Sequence, residues 1–196
     1  MRIGIFINTP AQLHFWKNIG RKLIERGNRV MLLFRQYREI EDLIKELGYS
    51  PLFFSYKASS KYMKLMTPPL VILSAYKYLK EFRPNIVTGF GLYATYTSLL
   101  LRSNCIIFND SEPRVNKFTH LTQFKAVIPF VDVLLTPESF TDDLGEKHLK
   151  VASFKELAYL HPKYYKPKDD IFDLLGISKG EDYVLVRFNA FDAVHD

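Results

Sequence analysis

Residues 2–34 read RIGIFINTPAQLHFWKNIGRKLIERGNRVMLLF, two apolar runs on either side of a segment with helical period. RIGIFIN (2–8) reads as a buried strand. Over 11–26, Leu13, Trp16, Ile19, Leu23 and Ile24 form one apolar stripe, and Gly27 supplies the stop. RVMLLF (29–34) is a second strand. Strand, helix and strand in this order predict a parallel βαβ unit, and strands this uniformly apolar predict a sheet covered on both faces. The first turn of such a unit is where a glycine-rich phosphate loop would lie, yet Asn8-Thr9-Pro10-Ala11-Gln12 has no glycine. The second strand runs into Arg35-Gln36, with no acid to hold a ribose. Together these exclude a dinucleotide fingerprint, and no cofactor is implied.

The alternation continues along the chain. YREIEDLIKEL (37–47) reads as an amphipathic helix and PLFFSY (51–56) as a short strand. Leu70, Leu73, Tyr76 and Leu79 space a helix over 69–82. NIVTGF (85–90), a helix over 91–102, NCIIFN (104–109) and VDVLLT (131–136) follow, and ESFTDDLG (138–145) reads as a further helix start. The expected fold over residues 1–160 is therefore a Rossmann-like three-layer α/β domain with a parallel sheet. HPKYYKPKDD opens a polar, proline-punctuated linker over 161–182. YVLVRFN (183–189) reads as one last strand, so that 183–196 would be the first strand and turn of an incomplete second domain. A lone strand needs another sheet to join.

Composition narrows the function class. The 196 residues are 47% hydrophobic and carry a net charge of +6, from 27 basic residues scattered among 21 acidic ones. No zinc-finger, RNP or basic-helix signature accompanies that charge, which argues against nucleic acid as partner. The single cysteine, Cys105, excludes an internal disulfide and a cysteine-rich zinc site. Five apolar-type residues between Arg2 and Asn8 are too few for a signal peptide, and no run approaches the roughly 18 apolar residues of a membrane span. The expected location is cytoplasmic.

In an open parallel sheet, ligands bind beyond the carboxyl ends of the strands, so the turns there carry the candidate chemistry. Thr88-Gly89-Phe90-Gly91-Leu92-Tyr93 follows the fourth strand. Its glycines either present backbone N–H groups to an anion or sugar, or serve the turn's geometry alone. Asn109-Asp110-Ser111-Glu112 follows the fifth strand. Its two carboxylates could supply a general base, or form a solvated loop with a capping aspartate. Thr136-Pro137-Glu138 reads most simply as a helix start. His14, in the first turn of the first helix, could serve as acid, base or phosphate contact, or pack among Leu13, Phe15 and Trp16.

Taken together, these turns resemble those of the N-terminal domain of GT-B glycosyltransferases and of the UDP-N-acetylglucosamine 2-epimerases. Gly89-Phe90-Gly91-Leu92-Tyr93 is similar to the glycine–glycine–tyrosine turn of the cell-wall N-acetylglucosaminyltransferases. Asp110 through Asn116-Lys117 is similar to their acid-containing loop ending in Asn-Lys. Four further segments resemble an uncharacterised, largely archaeal family placed beside these enzymes: Asn8 to Phe15, Thr136-Pro137-Glu138, Lys155 to Pro162, and Arg187 to Asp196. The resemblance implies a nucleotide sugar and a glycan or lipid-linked acceptor, with no metal. It implies Glu112 or Asp110 as base and His14, or Gln12 by a shifted alignment, as hydroxyl or phosphate contact. Asn8, Gly89, Gly91, Tyr93, Asn116 and Arg187 would bind substrate, with Asp192 and His195 facing the cleft. In GT-B proteins the donor sits mainly on the C-terminal domain. The expectation is thus an acceptor-side half, not catalytic alone: a truncated chain, a gene-split half that needs a separate C-terminal half, or a decayed copy. The alternative is a non-catalytic assembly module whose strand 183–189 pairs with another subunit, for instance as a homodimer.

Residues 57–80 mix Lys57, Lys61, Lys64, Lys77 and Lys80 with Tyr62, Met63, Leu65 and Met66. At about 1 kcal/mol per lysine near an anionic surface, they could dock the domain reversibly at the inner face of a membrane. Otherwise they form a helix packed on the sheet with a solvated lysine face.

Overall fold

The computed structural model describes residues 1–36, 38–55, 61–110, 124–168 and 170–186, with side chains from Pro68 onward in the third helix. Seven parallel strands make one sheet in the order β3-β2-β1-β4-β5-β6-β7. They are β1 (Arg2–Ile7), β2 (Arg29–Arg35), β3 (Phe53–Ser55), β4 (Ile86–Gly89), β5 (Asn104–Phe108), β6 (Val133–Pro137) and β7 (His148–Val151). The helices are α1 (Pro10–Glu25), α2 (Arg38–Glu46), α3 (Lys61–Phe82), α4 (Leu92–Leu101), α5 (Leu157–Leu160) and α6 (Ile171–Leu175). β1 pairs with β2 on one side and β4 on the other, Ile3 lying opposite both Val30 and Ile86. Strand order reverses at this seam, so the crevice beyond its carboxyl end is where such a sheet receives ligands.

β1 shows why its sequence is apolar without a break. Ile3, Ile5 and Ile7 pack under Leu13, Phe15 and Trp16 of α1 and Ile40 and Ile44 of α2. Phe6, on the other face, packs with Leu33, Val87 and Ile107 under Val71, Ala75 and Leu79 of α3. With helices on both faces, Ile3 through Ile7 are all interior. Cys105 is buried, and burial pushes its thiol pKa up, which keeps it protonated and inert.

Three elements differ from the sequence reading. Helix α3 starts at Lys61, not near residue 69, and runs through Pro68 and Pro69. Its buried row is Val71, Ala75 and Leu79, while Leu70 and Leu73 are 68% and 49% exposed. An i, i+4, i+8 row with alanine at its centre lies closer to the sheet than a leucine stripe could. Residues 138–146 form turns, not a helix. They lead to β7, which the sequence reading lacks and which pairs in parallel with β6 from Leu134–His148 to Pro137–Val151. The described part of the expected last strand, residues 183–186, is in no strand, and its side chains are 62–88% exposed. A strand exists only through its ladder, and no described segment offers it one. Among the described residues no helix is long and apolar enough to cross a membrane.

Candidate functional site

The first turn is tied down by side chains. Thr9 caps α1, its Oγ1 accepting from the Gln12 N–H at 3.3 Å, with Pro10 next to it. Gln12 Oε1 in turn accepts from the Asn8 N–H at 2.8 Å. Proline has no N–H, and the Gln12 and Leu13 amides are already bonded to Thr9. Little of the helix N-terminus is left to cradle a phosphate. Asn8, 8% exposed, donates from Nδ2 to the Phe90 carbonyl at 3.1 Å and so joins the turns after β1 and β4. Its Oδ1 is buried without a partner among the described residues.

Gly89 is required by a close approach. A Cβ there would stand 2.8 Å from the Phe6 Cβ and 3.0 Å from the Phe6 carbonyl oxygen. Gly91 caps α4 at φ 75° with open space around it.

Beyond the carboxyl ends of β5, β6 and β7 lies a cavity of about 590 Å³. Its floor is aromatic: the Phe15 ring meets Phe90 at 5.5 Å and Phe108 at 5.2 Å, both near edge-to-face. Trp16 backs this floor, 5.3 Å from Phe108. The segment after β7, with α5, forms the opposite wall. It is held to α1 by a hydrogen bond from Asn18 Nδ2 to the Ala158 carbonyl, 2.8 Å, and by the Lys22 ammonium 5.8 Å over the Tyr164 ring.

One ion pair is set at the edge of this largely apolar space. Asp110, just past β5, pairs with Lys155, just past β7. Glu156 lies 3.8 Å from the same ammonium. Burial alone would lower the Lys155 pKa, but the Asp110 hydrogen bond and charge, then Glu156 and Tyr159, hold it above the ordinary lysine value. Lys155 is therefore charged at neutral pH. A second cavity, about 300 Å³, lies against the same pair and is lined also by Ser139 and Glu156.

The candidates of the sequence reading separate accordingly. Asp110 lines the cavity. His14 does not; its ring lies against Tyr159 at 5.6 Å, tilted by 39°, and burial, then Lys17, pushes its pKa down against the opposing charge of Glu46. Tyr93 packs on the other side of the sheet, 5.8 Å from Phe54 and with the Arg35 guanidinium 5.8 Å over its ring. Glu112, Asn116, Arg187, Asp192 and His195 lie outside the described residues. Lys155 and the three-phenylalanine floor were not singled out as site residues. The available signal was an aromatic residue beside three of the turns: Phe15 in α1, Phe90 after β4 and Phe108 at the end of β5. Among the described residues no cluster of His, Cys, Asp or Glu could hold a metal ion.

No protein-family model matches the chain. No curated protein matches it either. Solved structures do. UDP-N-acetylglucosamine 2-epimerase from Rickettsia bellii superposes with a TM-score of 0.64 at 15% identity, over 91% of this chain and 52% of its own. The 2-epimerase from Neisseria meningitidis bound to UDP-GlcNAc gives 0.59 at 10% identity, over 71% of this chain and 41% of its own. MurG from Acinetobacter baumannii gives 0.56 at 15% identity, over 76% and 44%. The chain thus spans about half, or less, of each of these proteins. At such identities the likeness concerns architecture: the chain has the Rossmann-like α/β fold of a GT-B N-terminal domain.

Proposed function

We propose that this chain is the acceptor-side half of a GT-B-type glycosyltransferase or of a sugar-nucleotide epimerase-like protein. The observation that carries this reading is the aromatic-floored cavity with Asp110 at its edge, placed at the carboxyl ends of the strands beside the sheet's reversal. Its support is a fold shared with a protein solved with UDP-GlcNAc bound. In this reading Asp110 or Glu112 takes the proton from an acceptor hydroxyl, so that the oxygen can attack the sugar. The Gly89–Gly91 turn offers backbone N–H groups, His14 contacts substrate from outside the cavity, and Asn116 and Arg187 contact it as well. The nucleotide sugar comes from a second half, in the same or a separate polypeptide. Bringing the two halves together supplies positioning that can amount to about 7–11 kcal/mol of barrier.

Titration calorimetry tests this with UDP-N-acetylglucosamine and UDP, first on the chain alone and then with the separately expressed C-terminal half of a full-length relative. Binding and turnover on complementation are expected. No heat and no turnover in either case would refute the reading.

One observation favours a second reading, an assembly module. Tyr183, Val184, Leu185 and Val186 are 62%, 88%, 87% and 67% exposed, an apolar run with two β-branched valines that would pair with another subunit. Light scattering showing a monomer at all concentrations, unchanged by substituting these residues with serine, would refute it.

A further inference from the structure

The ion pair between Asp110 and Lys155 stands between two cavities. The larger, about 590 Å³, lies over the phenylalanine floor, and the smaller, about 300 Å³, lies towards Ser139 and Glu156. Asp110, Pro137, Phe154 and Lys155 line both. The two charged side chains are 31% and 20% exposed, so the pair is partly shielded from water without being locked in the core. Asp110 is the one acidic residue among the described residues lining the larger cavity, against Lys155 and Lys163. The charge balance at the wall is positive and the floor is apolar. An internal carboxylate occupies the better-buried cation.

We propose that this site takes an amphipathic anion, its apolar body on Phe15, Phe90 and Phe108 and its acidic group on Lys155, which exchanges Asp110 for the ligand and opens one cavity into the other. The inference rests on the proposed function only for the place of the site, and names its substrate class: a phosphate or carboxylate attached to a hydrophobic group. Asp110 then acts as an internal competitor. It keeps Lys155 charged and oriented in the empty site, and yields when a stronger or doubly charged anion arrives with apolar contacts of its own. A carboxylate freed in this way stands beside the ligand.

The competition has a signature that a structural clamp lacks. If the pair only braced the fold, Asp110→Asn and Lys155→Met would act in the same direction. If Asp110 competes with ligand, they act in opposite directions. The probe is 8-anilinonaphthalene-1-sulfonate, an aromatic anion, followed by fluorescence on the full chain. Its uncharged counterpart, N-phenyl-1-naphthylamine, reports apolar contact alone. The expected result is that Lys155→Met weakens the anionic dye about tenfold and Asp110→Asn tightens it several-fold, on the order of one charged hydrogen bond. The neutral dye should change less than about twofold in either variant, as judged against that same scale. Dodecyl phosphate and uridine monophosphate are then used as competitors, the first standing for an aliphatic source of the anion and the second for a nucleotide. Displacement by either supports the proposal and says which source it is. Displacement by neither overturns it. Equal shifts of both dyes, or weaker anion binding in Asp110→Asn, also overturn it. Should Lys155→Met not fold by circular dichroism, Asp110→Asn with the two dyes makes the same test, since relieved competition tightens the anion and spares the neutral dye, whereas loss of a structural clamp weakens both. None of these titrations uses a sugar nucleotide, so their failure is separate from failure of the complementation experiment.

Discussion

Replacing Gly89 with alanine probes the seam that shapes the crevice. The added carbon would lie 2.8 Å from the Phe6 Cβ and 3.0 Å from the Phe6 carbonyl oxygen, where ordinary contact begins near 3.4 Å. Phe6 is fully buried in the central strand and its ring packs on Phe54 at 5.0 Å, so it cannot withdraw. Relief requires β1 and β4 to part at their carboxyl ends. Overpacking of this kind costs about 1–3 kcal/mol, and holding alanine at φ +157° adds about 1 kcal/mol, for about 2–4 kcal/mol in all. Gly91→Ala is the control. Gly91 also has positive φ, 75°, but open space around it, so only the backbone term of about 1 kcal/mol applies. Urea titration followed by the fluorescence of Trp16, the single tryptophan, reads both, because its ring lies 5.3 Å from Phe108 in the floor of the site. In a thermal melt the Gly89 variant should lose about 5–15 °C, at about 2–4 °C per kcal/mol for a chain of this size. If Gly89→Ala falls within about 1 kcal/mol of Gly91→Ala, the close approach of β1 to β4 is refuted, and the shape of the crevice with it.

Asn8→Ala removes the bond to the Phe90 carbonyl and should cost about 1 kcal/mol in urea titration, since the unpartnered Oδ1 is removed with it; a loss above about 3 kcal/mol would show that Asn8 does more than join two turns. Acid should weaken the fold through two histidines. His148 Nδ1 accepts from the Leu144 N–H at 3.2 Å, which assigns the ring proton to Nε2, bonded to Thr136 Oγ1 at 2.7 Å. Burial, then Lys150, lowers its pKa against Asp143, and His14 is lowered in the same direction. With folded values below the unfolded value of about 6.5, the unfolded chain takes up protons first. This contribution is complete above about pH 6.5 and is lost as pH falls through the folded values. Melting temperatures at pH 7.5 and 5.5 should therefore fall in that order, and His148→Gln should reduce the difference; a flat profile between them would sink the assignment. In the complemented enzyme, removal of the base by Asp110→Asn or Glu112→Gln should lower turnover by about 10²–10⁴-fold in one of the two variants, and full activity in both would exclude either as base.

The fold was legible where strands are buried on both faces. IGIFI, VMLLF and CIIF read as strands because every position in them is buried or half-buried, and α1 read as a helix because Leu13, Trp16, Ile19 and Leu23 of its stripe pack on the sheet, although Ile24, the fifth, is 57% exposed. β7 was not legible for the opposite reason. HLKV is an edge strand with Leu149 and Val151 53% and 40% exposed, and a run with two basic side chains in four residues resembles a loop. Helix α3 was half legible, because Pro68 and Pro69 argue for a helix start and the helix passes through them. In the site, Asp110 followed from the rule that ligands meet the carboxyl ends of strands. Its partner did not, because Lys155 is 45 residues away and nothing local marks a lysine as half-buried. Phe15, Phe90 and Phe108 were not singled out, because Phe15 falls outside the predicted stripe of α1 and the other two read as the ends of strands.

The bond between Asn8 and the Phe90 carbonyl also has a consequence in time. It joins groups 82 residues apart, and the Asp110–Lys155 pair adds a closure over 45 more. The unit β1-α1-β2 is contiguous in sequence and can form early, whereas the crevice needs β4 brought back past two strands and three helices, a closure whose entropy is lost before its contacts are gained. The binding edge is therefore among the last parts of the molecule to assemble. On the ribosome no ligand could be held until β4 and β5 had emerged and the segment after β7 had closed over them, so ligand retention by a nascent chain would report completion of the sheet.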